Sequence, residues 1–179
     1  MSDYLIVVDM QKDFISGSLG TPEAQAIVVP VIQKICGHKG PLYFTRDTHD
    51  ENYLETHEGQ RLPVEHCIKG SPGWQLHPEL EALAQAFGGV ILDKPAFGSP
   101  QLGELLAKRA AQDPVDSITL IGLCTDICVI SNALLLRSLF PEADILVDAS
   151  CCAGVTPQSH RGALEAMKLC HVDIINEEM

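Results

Sequence analysis

The sequence is poor in positive charge. Lys and Arg together number 12 against 24 Asp and Glu, so the formal net charge is −12 at pH 7. That balance excludes the basic footprint with which proteins hold nucleic acid or an anionic membrane surface, though it says nothing of the charge inside a pocket. No apolar run reaches the ~18 residues of a membrane-spanning helix. The opening residues MSDYLIVVDM lack a basic region and a cleavage site, and are read as a strand, not as a secretory signal. Neither common glycine-rich phosphate loop occurs, and there is no low-complexity tract. The seven cysteines include no C-x-x-C pair. An odd count without that spacing argues against a disulfide framework and for a reducing, cytoplasmic setting.

What is present is an alternation. At 179 residues, the chain is expected to form one domain over 1–179, burying about 70 % of the surface an unfolded chain exposes. Short apolar runs at 4–8, 42–45, 89–92, 118–121, 143–147 and 172–175 read as strands. Between them, helical spacing covers 24–36, 79–87, 100–111, 126 to about 140, and 157–169. Thr21 is placed to cap the first helix, Pro22 to occupy its first turn, and Gly37 to end it. The strands are continuously apolar, which marks a parallel sheet covered on both faces. The expectation is a three-layer α/β/α fold with six parallel strands. The polar stretch at about 46–78 is too long for a simple connection and reads as a functional insertion.

In an open sheet of this kind, ligands bind beyond the carboxyl ends of the strands. Asp9 ends the first strand, Arg46 and Asp47 the second, Lys94 the third and Asp148 the fifth. Cys124 and Cys128 follow the fourth, in the stretch ITLIGLCTDICVIS at 118–131. There Gly122 breaks the strand and a helix starts at Asp126. A cysteine in a helix's first turn is biased towards thiolate, and the backbone N–H groups of Cys124 and Cys128 could hold an oxyanion. Asp9 could take the thiol proton and pass it to a leaving group such as ammonia. Lys94 could keep Asp9 ionised and stabilise the thiolate. The plainer alternatives are two packed cysteines and a rim ion pair. The insertion carries a second cluster. Asp47, His49 and His66 could hold a divalent metal with positions left open, and Glu58 or Glu55 could add a fourth ligand; zinc, iron and manganese all suit such a set. His38 and His77 are read as solvated, and Cys151 and Cys152 as packing.

Three motifs carry a resemblance. VVDMQKDF at 7–14, DKPAFGSP at 93–100 and GLCTDICV at 122–129 are similar, in order and distance, to the motifs of the isochorismatase-like cysteine hydrolases, and within them most to the nicotinamidase/pyrazinamidase group. The resemblance implies a six-stranded parallel sheet and thioester chemistry. In it Asp9 is the catalytic acid, Lys94 its partner, Cys128 the nucleophile, and the Leu123–Cys124 peptide is cis. It implies a metal on Asp47, His49 and His66, with Glu58 where some members have a fourth ligand, and zinc as the leading candidate. That metal binds the pyridine nitrogen of the substrate. Phe14 falls where an aromatic residue lines the ring pocket. The chain departs from the group in one place. Many members have Trp-Pro before the last metal histidine, whereas here Leu62 precedes Pro63 and one extra residue precedes His66. The missing wall would come from Tyr53 or Trp74. The implied reaction is nicotinamide plus water to nicotinate and ammonia. Alternatives are another small amide, ureido or carbamoyl substrate, a metal-only site with Cys128 structural, or a non-catalytic metabolite binder. A homo-oligomer is implied by family habit, and residues 127–139 are apolar almost all round, as a helix between sheet and neighbour would be.

Overall fold

The computed structural model describes residues 2–177. Strands β1 (Ser2–Val8), β2 (Leu42–Asp47), β3 (Val90–Lys94), β4 (Val115–Leu123), β5 (Asp144–Ala153) and β6 (Asp173–Ile175) form one sheet in the order β3-β2-β1-β4-β5-β6. Every pairing is parallel. The helices are α1 (Lys12–Ile15), α2 (Pro22–Ala26), α3 (Val28–Gly37), α4 (His57–Arg61), α5 (Pro78–Ala86), α6 (Pro100–Ala110), α7 (Ile130–Leu139) and α8 (Pro157–Leu169). The expected three-layer α/β/α architecture is thus what the chain adopts. No helix among the described residues is long and apolar enough to cross a membrane.

The period-2 rule sorts β1 between the layers. Tyr4, Ile6 and Val8 face Leu102 and Leu106 of α6, Leu136 of α7 and Met167 of α8. Leu5 and Val7 face Val31 and Ile35 of α3 and Leu80 of α5. Both sides of the strand are therefore apolar, which is why it shows no alternation in sequence. After β1 the chain builds outward to β2 and β3, then crosses to β4 on the other side. The reversal leaves a crevice at the carboxyl ends of β1 and β4.

Several elements differ from the sequence reading. The helix expected over 24–36 is two pieces, with Ile27 between α2 and α3. Pro30 is the cause, since it has no N–H for the carbonyl four residues back and crowds that position. Thr21 does cap α2, its hydroxyl accepting from the Ala24 amide at 3.0 Å. Gly122 does not end β4. It continues the strand at φ 114° with its α-carbon against Val8, where a β-carbon would lie 2.2 Å from the Val8 carbonyl oxygen. The turn at Thr125–Val129 is a π-type turn, and the α-helix begins only at Ile130. β5 is twice the length expected. Leu120 pairs with Val147 and Gly122 with Cys152, so between these pairs one residue of β4 runs alongside four of β5.

The insertion folds onto the sheet's carboxyl edge. It contains a 3₁₀ turn at Tyr53–Glu55 and α4, whose cap Thr56 accepts from the Gly59 amide. Buried Gln11 clamps it. The Gln11 amide nitrogen donates to the carbonyls of Asp47 and Trp74, each at 2.8 Å, and its oxygen accepts from the Asp47 amide at 2.7 Å. Asp13 accepts from the Cys67 amide at 2.8 Å.

Candidate active site

Asp9 follows β1 in a left-handed conformation, φ 48°. Its amide donates to the Thr45 carbonyl of β2, and its side chain is fully buried. Thr45 Oγ1 donates to Asp9 Oδ1 at 2.6 Å. Lys94 Nζ pairs with Asp9 Oδ2 at 2.6 Å. The same ammonium donates to the Ala96 carbonyl at 3.1 Å and to Cys128 Sγ at 3.3 Å, and reaches Asp47 Oδ1 at 3.3 Å. One buried cation from β3 thus joins the ends of β1 and β2 to the turn after β4. The Leu123–Cys124 peptide is cis.

The electrostatics follow from burial. Burial works against the Lys94 charge, yet the carboxylates of Asp9 and Asp47 outweigh it and hold the proton on. Burial raises Asp9 above the ordinary carboxylate range, with Lys94 opposing. Cys128 is raised far above a free thiol, first by burial and then by the Asp9 charge, against which Lys94 pulls. Burial therefore works against the expected bias towards thiolate. Cys128 lies in a π turn with 5 % of its surface exposed, and the first-turn bias is outweighed by desolvation. Burial and the neighbouring carboxylate thus favour the protonated form of Cys128, with Asp9 within hydrogen-bonding reach of it.

The second cluster assembles beside it. One ligand atom each from Asp47, His49, Glu58 and His66 lies within 4.8 Å of the other three. His49 Nε2 is 2.9 Å and His66 Nε2 3.6 Å from Asp47 Oδ2, and Glu58 Oε1 is 3.7 Å from His49 Nε2. His66 Nδ1 lies 2.8 Å from the Val64 carbonyl, which takes the ring proton on that side and turns the Nε2 lone pair into the cluster. Burial would raise the Asp47 pKa, but the two histidines and Lys94 hold it well below the usual carboxylate range. Two imidazoles and two carboxylates converging in this way fit a divalent cation such as zinc. Glu55, the other acid considered, is not among the four.

A cavity of about 710 Å³ is lined by Asp47, His49, Glu58 and His66 and by Cys128, with Phe14, Leu62, Cys124, Ile127 and Phe97 also on its walls, while Asp9 and Lys94 are buried and do not line it. Tyr53 and Trp74 do not line it. Tyr53 is fully buried behind the histidines, 4.6 Å from the His49 ring centre, and its hydroxyl donates to the Leu62 carbonyl. Trp74 donates to Thr48 Oγ1 and lies under the Arg46 guanidinium. Arg46 also pairs with Asp93, so its role is at the rim. Asp148 is remote from the site. It sits within β5, where it takes Lys34 at 2.7 Å, Ser150 at 2.7 Å and Asn176 at 3.0 Å. Cys151 and Cys152 are buried in opposite core layers, and His77, expected in solvent, buries Nδ1.

The sequence reading missed five residues. Gln11 and Thr45 fix Asp47 and Asp9, as described. Phe97 supplies the aromatic wall, and it sits inside the motif that drew attention to Lys94. Asn132, fully buried on α7, accepts from the Ser99 amide at 2.9 Å and donates to the carbonyls of Phe97 at 3.0 Å and Cys128 at 2.8 Å. Its signal was available: an amide on the apolar face of a helix four residues after the cysteine. His160 of α8 meets Thr125 Oγ1 at 2.7 Å and steadies the same turn.

Known proteins share this arrangement of the chain. The nicotinamidase/pyrazinamidase of Mycobacterium tuberculosis is 26 % identical over 192 residues, covering 96 % of this chain and 97 % of its own. The crystal structure of pyrazinamidase/nicotinamidase from Streptococcus mutans is 31 % identical, with a TM-score of 0.81, covering 97 % of this chain and 100 % of that one. The pyrazinamidase of Pyrococcus horikoshii in complex with zinc is 26 % identical, with a TM-score of 0.78, covering 99 % and 100 %. The isochorismatase domain, as a family profile, matches residues 3–179, nearly the whole chain. By that match, the chain belongs to the isochorismatase family.

Proposed function

We propose that this protein is a cysteine amidohydrolase that converts nicotinamide to nicotinate and ammonia. The observation that carries the reading is Lys94 Nζ, in contact at once with Asp9, with the Cys128 thiol and with Asp47 of the histidine cluster. The similarity to nicotinamidases and pyrazinamidases along the whole chain supports the substrate class.

Asp9 takes the Cys128 proton as the sulfur attacks the carboxamide carbon. The backbone amides of Cys124 and Cys128 receive the oxyanion. Asp9 then returns the proton to the amide nitrogen, the C–N bond breaks, and ammonia leaves a thioester. Water attacks that thioester as Asp9 takes one of its protons. The C–S bond breaks, the proton on Asp9 goes back to sulfur, and the acid leaves as nicotinate, its remaining proton passing to ammonia or solvent. Lys94 stabilises the charge as it moves between carboxylate and sulfur. Phe14 flanks the ring, and its own ring lies 5.5 Å from that of His66. A divalent metal, for which zinc has the support of the Pyrococcus horikoshii structure, would be held by Asp47, His49, His66 and Glu58 and would supply a Lewis acid for the ring nitrogen.

The domain is taken to be the whole of 1–179, with 46–78 as the metal-binding insertion. Seven free cysteines support a reducing, cytoplasmic location. Helix α7 leaves Leu134 and Leu135 half-buried and Leu139 exposed, an apolar run that supports a homo-oligomer, which light scattering at micromolar concentration tests. The function itself is tested by ammonia release from nicotinamide with zinc-loaded protein. Release should be rapid and should fall at least a thousandfold in Cys128→Ala. No release from folded, metal-loaded protein overturns the reading.

A further inference from the structure

The cavity is several times larger than the substrate just proposed. A single-ring carboxamide of nine heavy atoms fills roughly 150 Å³, the space of about five waters. The cavity measures about 710 Å³, within the range that holds ligands of two or more rings, about 300–1,000 Å³. Its polar groups are not spread evenly. The carboxylates, imidazoles and thiol gather at the reacting end. The exposed part of the lining is mostly apolar: Leu62, Phe97 and Val155 are 38, 44 and 52 % exposed, with Pro95 and Ala96 beside Phe97 in sequence, and His57 and Arg61 are its polar members.

These three come from separate connections. Leu62 follows α4, Phe97 lies between β3 and α6, and Val155 lies between β5 and α8. A lone exposed apolar side chain needs no explanation, but convergence of three on one cavity marks a ligand surface. The backbone behind Phe97 is fixed, because the buried Asn132 amide holds both Phe97 and Ser99. The wall is therefore preformed.

We propose that this site takes carboxamides carrying an apolar extension beyond the ring, seated against Leu62, Phe97 and Val155. The inference rests on the amidase reading for what happens at Cys128. The extension would leave from the ring edge opposite the line joining the ring nitrogen and the carboxamide. Covering these side chains with a propyl or phenyl group should tighten binding about tenfold.

The test separates binding from turnover. Nicotinamide and its 5-methyl, 5-propyl and 5-phenyl derivatives are titrated calorimetrically into zinc-loaded Cys128→Ala protein. Ammonia release from the same four compounds is followed with the unsubstituted chain. The Kd should fall along the series to about a tenth of the nicotinamide value. Adding Phe97→Ser, or Val155→Ser as a second variant, should remove most of that gradient. A Kd that stays flat or rises along the series overturns the proposal, as does a gradient indifferent to both variants. Failure to release ammonia with the gradient intact would sink the amidase reading alone.

Discussion

Two oxygens of Asp9 have different surroundings, and that difference organises the site. Oδ1 is fixed by the Thr45 hydroxyl, while Oδ2 pairs with the Lys94 ammonium. Asp9→Asn should keep the fold and lower kcat by about 10²–10⁴, the usual worth of a positioned base; steady-state kinetics checks it. Asn132 acts one step further out. Replacing it with leucine leaves the Ser99 amide and the Phe97 and Cys128 carbonyls short of a partner. Stability should fall by about 1–3 kcal/mol in denaturant unfolding, and kcat should fall because the Lys94 segment and the Cys128 turn are no longer tied. Asp148 gives a pH signature. Burial would raise it, but Lys34, Ser150 and Asn176 hold it below the ordinary carboxylate range. Its contribution is present above the unfolded pKa of about 3.9 and is lost as pH falls through the lower native value. The Tm advantage of the native chain over Asp148→Asn should therefore be constant from pH 7 to 5 and shrink below about pH 4, read by thermal scans across that range.

Elements were legible where a local pattern decides them. Continuous apolar runs announced the parallel strands, and Thr21 with Pro22 announced α2. What escaped was decided by contacts far along the chain. Gly122 looks like a strand breaker, yet it is a strand residue because Val8 of the neighbouring strand leaves no room for a β-carbon. β5 looked short because its irregular middle mixes Asp148 and Ser150 with cysteines, and only the pairing with β4 shows that it resumes. The three catalytic candidates and the metal candidates were visible because strand ends and motif spacing point to one edge. Phe97 was not, since no local rule says which loop residue will wall the cavity, and Asn132 was legible only as an amide on an apolar helix face, not by the carbonyls and amide it meets. At this scale the close approach of β1 and β4 is the sensitive point. Gly122→Ala should cost about 2–4 kcal/mol, from the left-handed backbone and the Val8 clash together. A chemical denaturation midpoint unchanged from that of the native chain would contradict this.

The molecule as a whole is held by one sheet and, at its carboxyl edge, by the insertion. A cation bound by Asp47, His49, Glu58 and His66 would tie β2 to that insertion. Removing it by chelation should lower the Tm and reloading with zinc should restore it, because a ligand that binds only the folded state stabilises it by mass action; an unchanged Tm speaks against the site. The central pairing has a further consequence, for synthesis. β1 registers Tyr4 against Ile118 of β4, more than a hundred positions away. At ~5–20 residues per second on the ribosome, the first strand waits roughly 5–20 seconds for that partner. During that time an edge of β1 and part of both its apolar faces are uncovered, and Asp9 has no Cys128 beside it. Nascent chains that stop before the fourth strand should therefore be inactive and prone to capture by chaperones. The active centre comes into being only in the last third of translation.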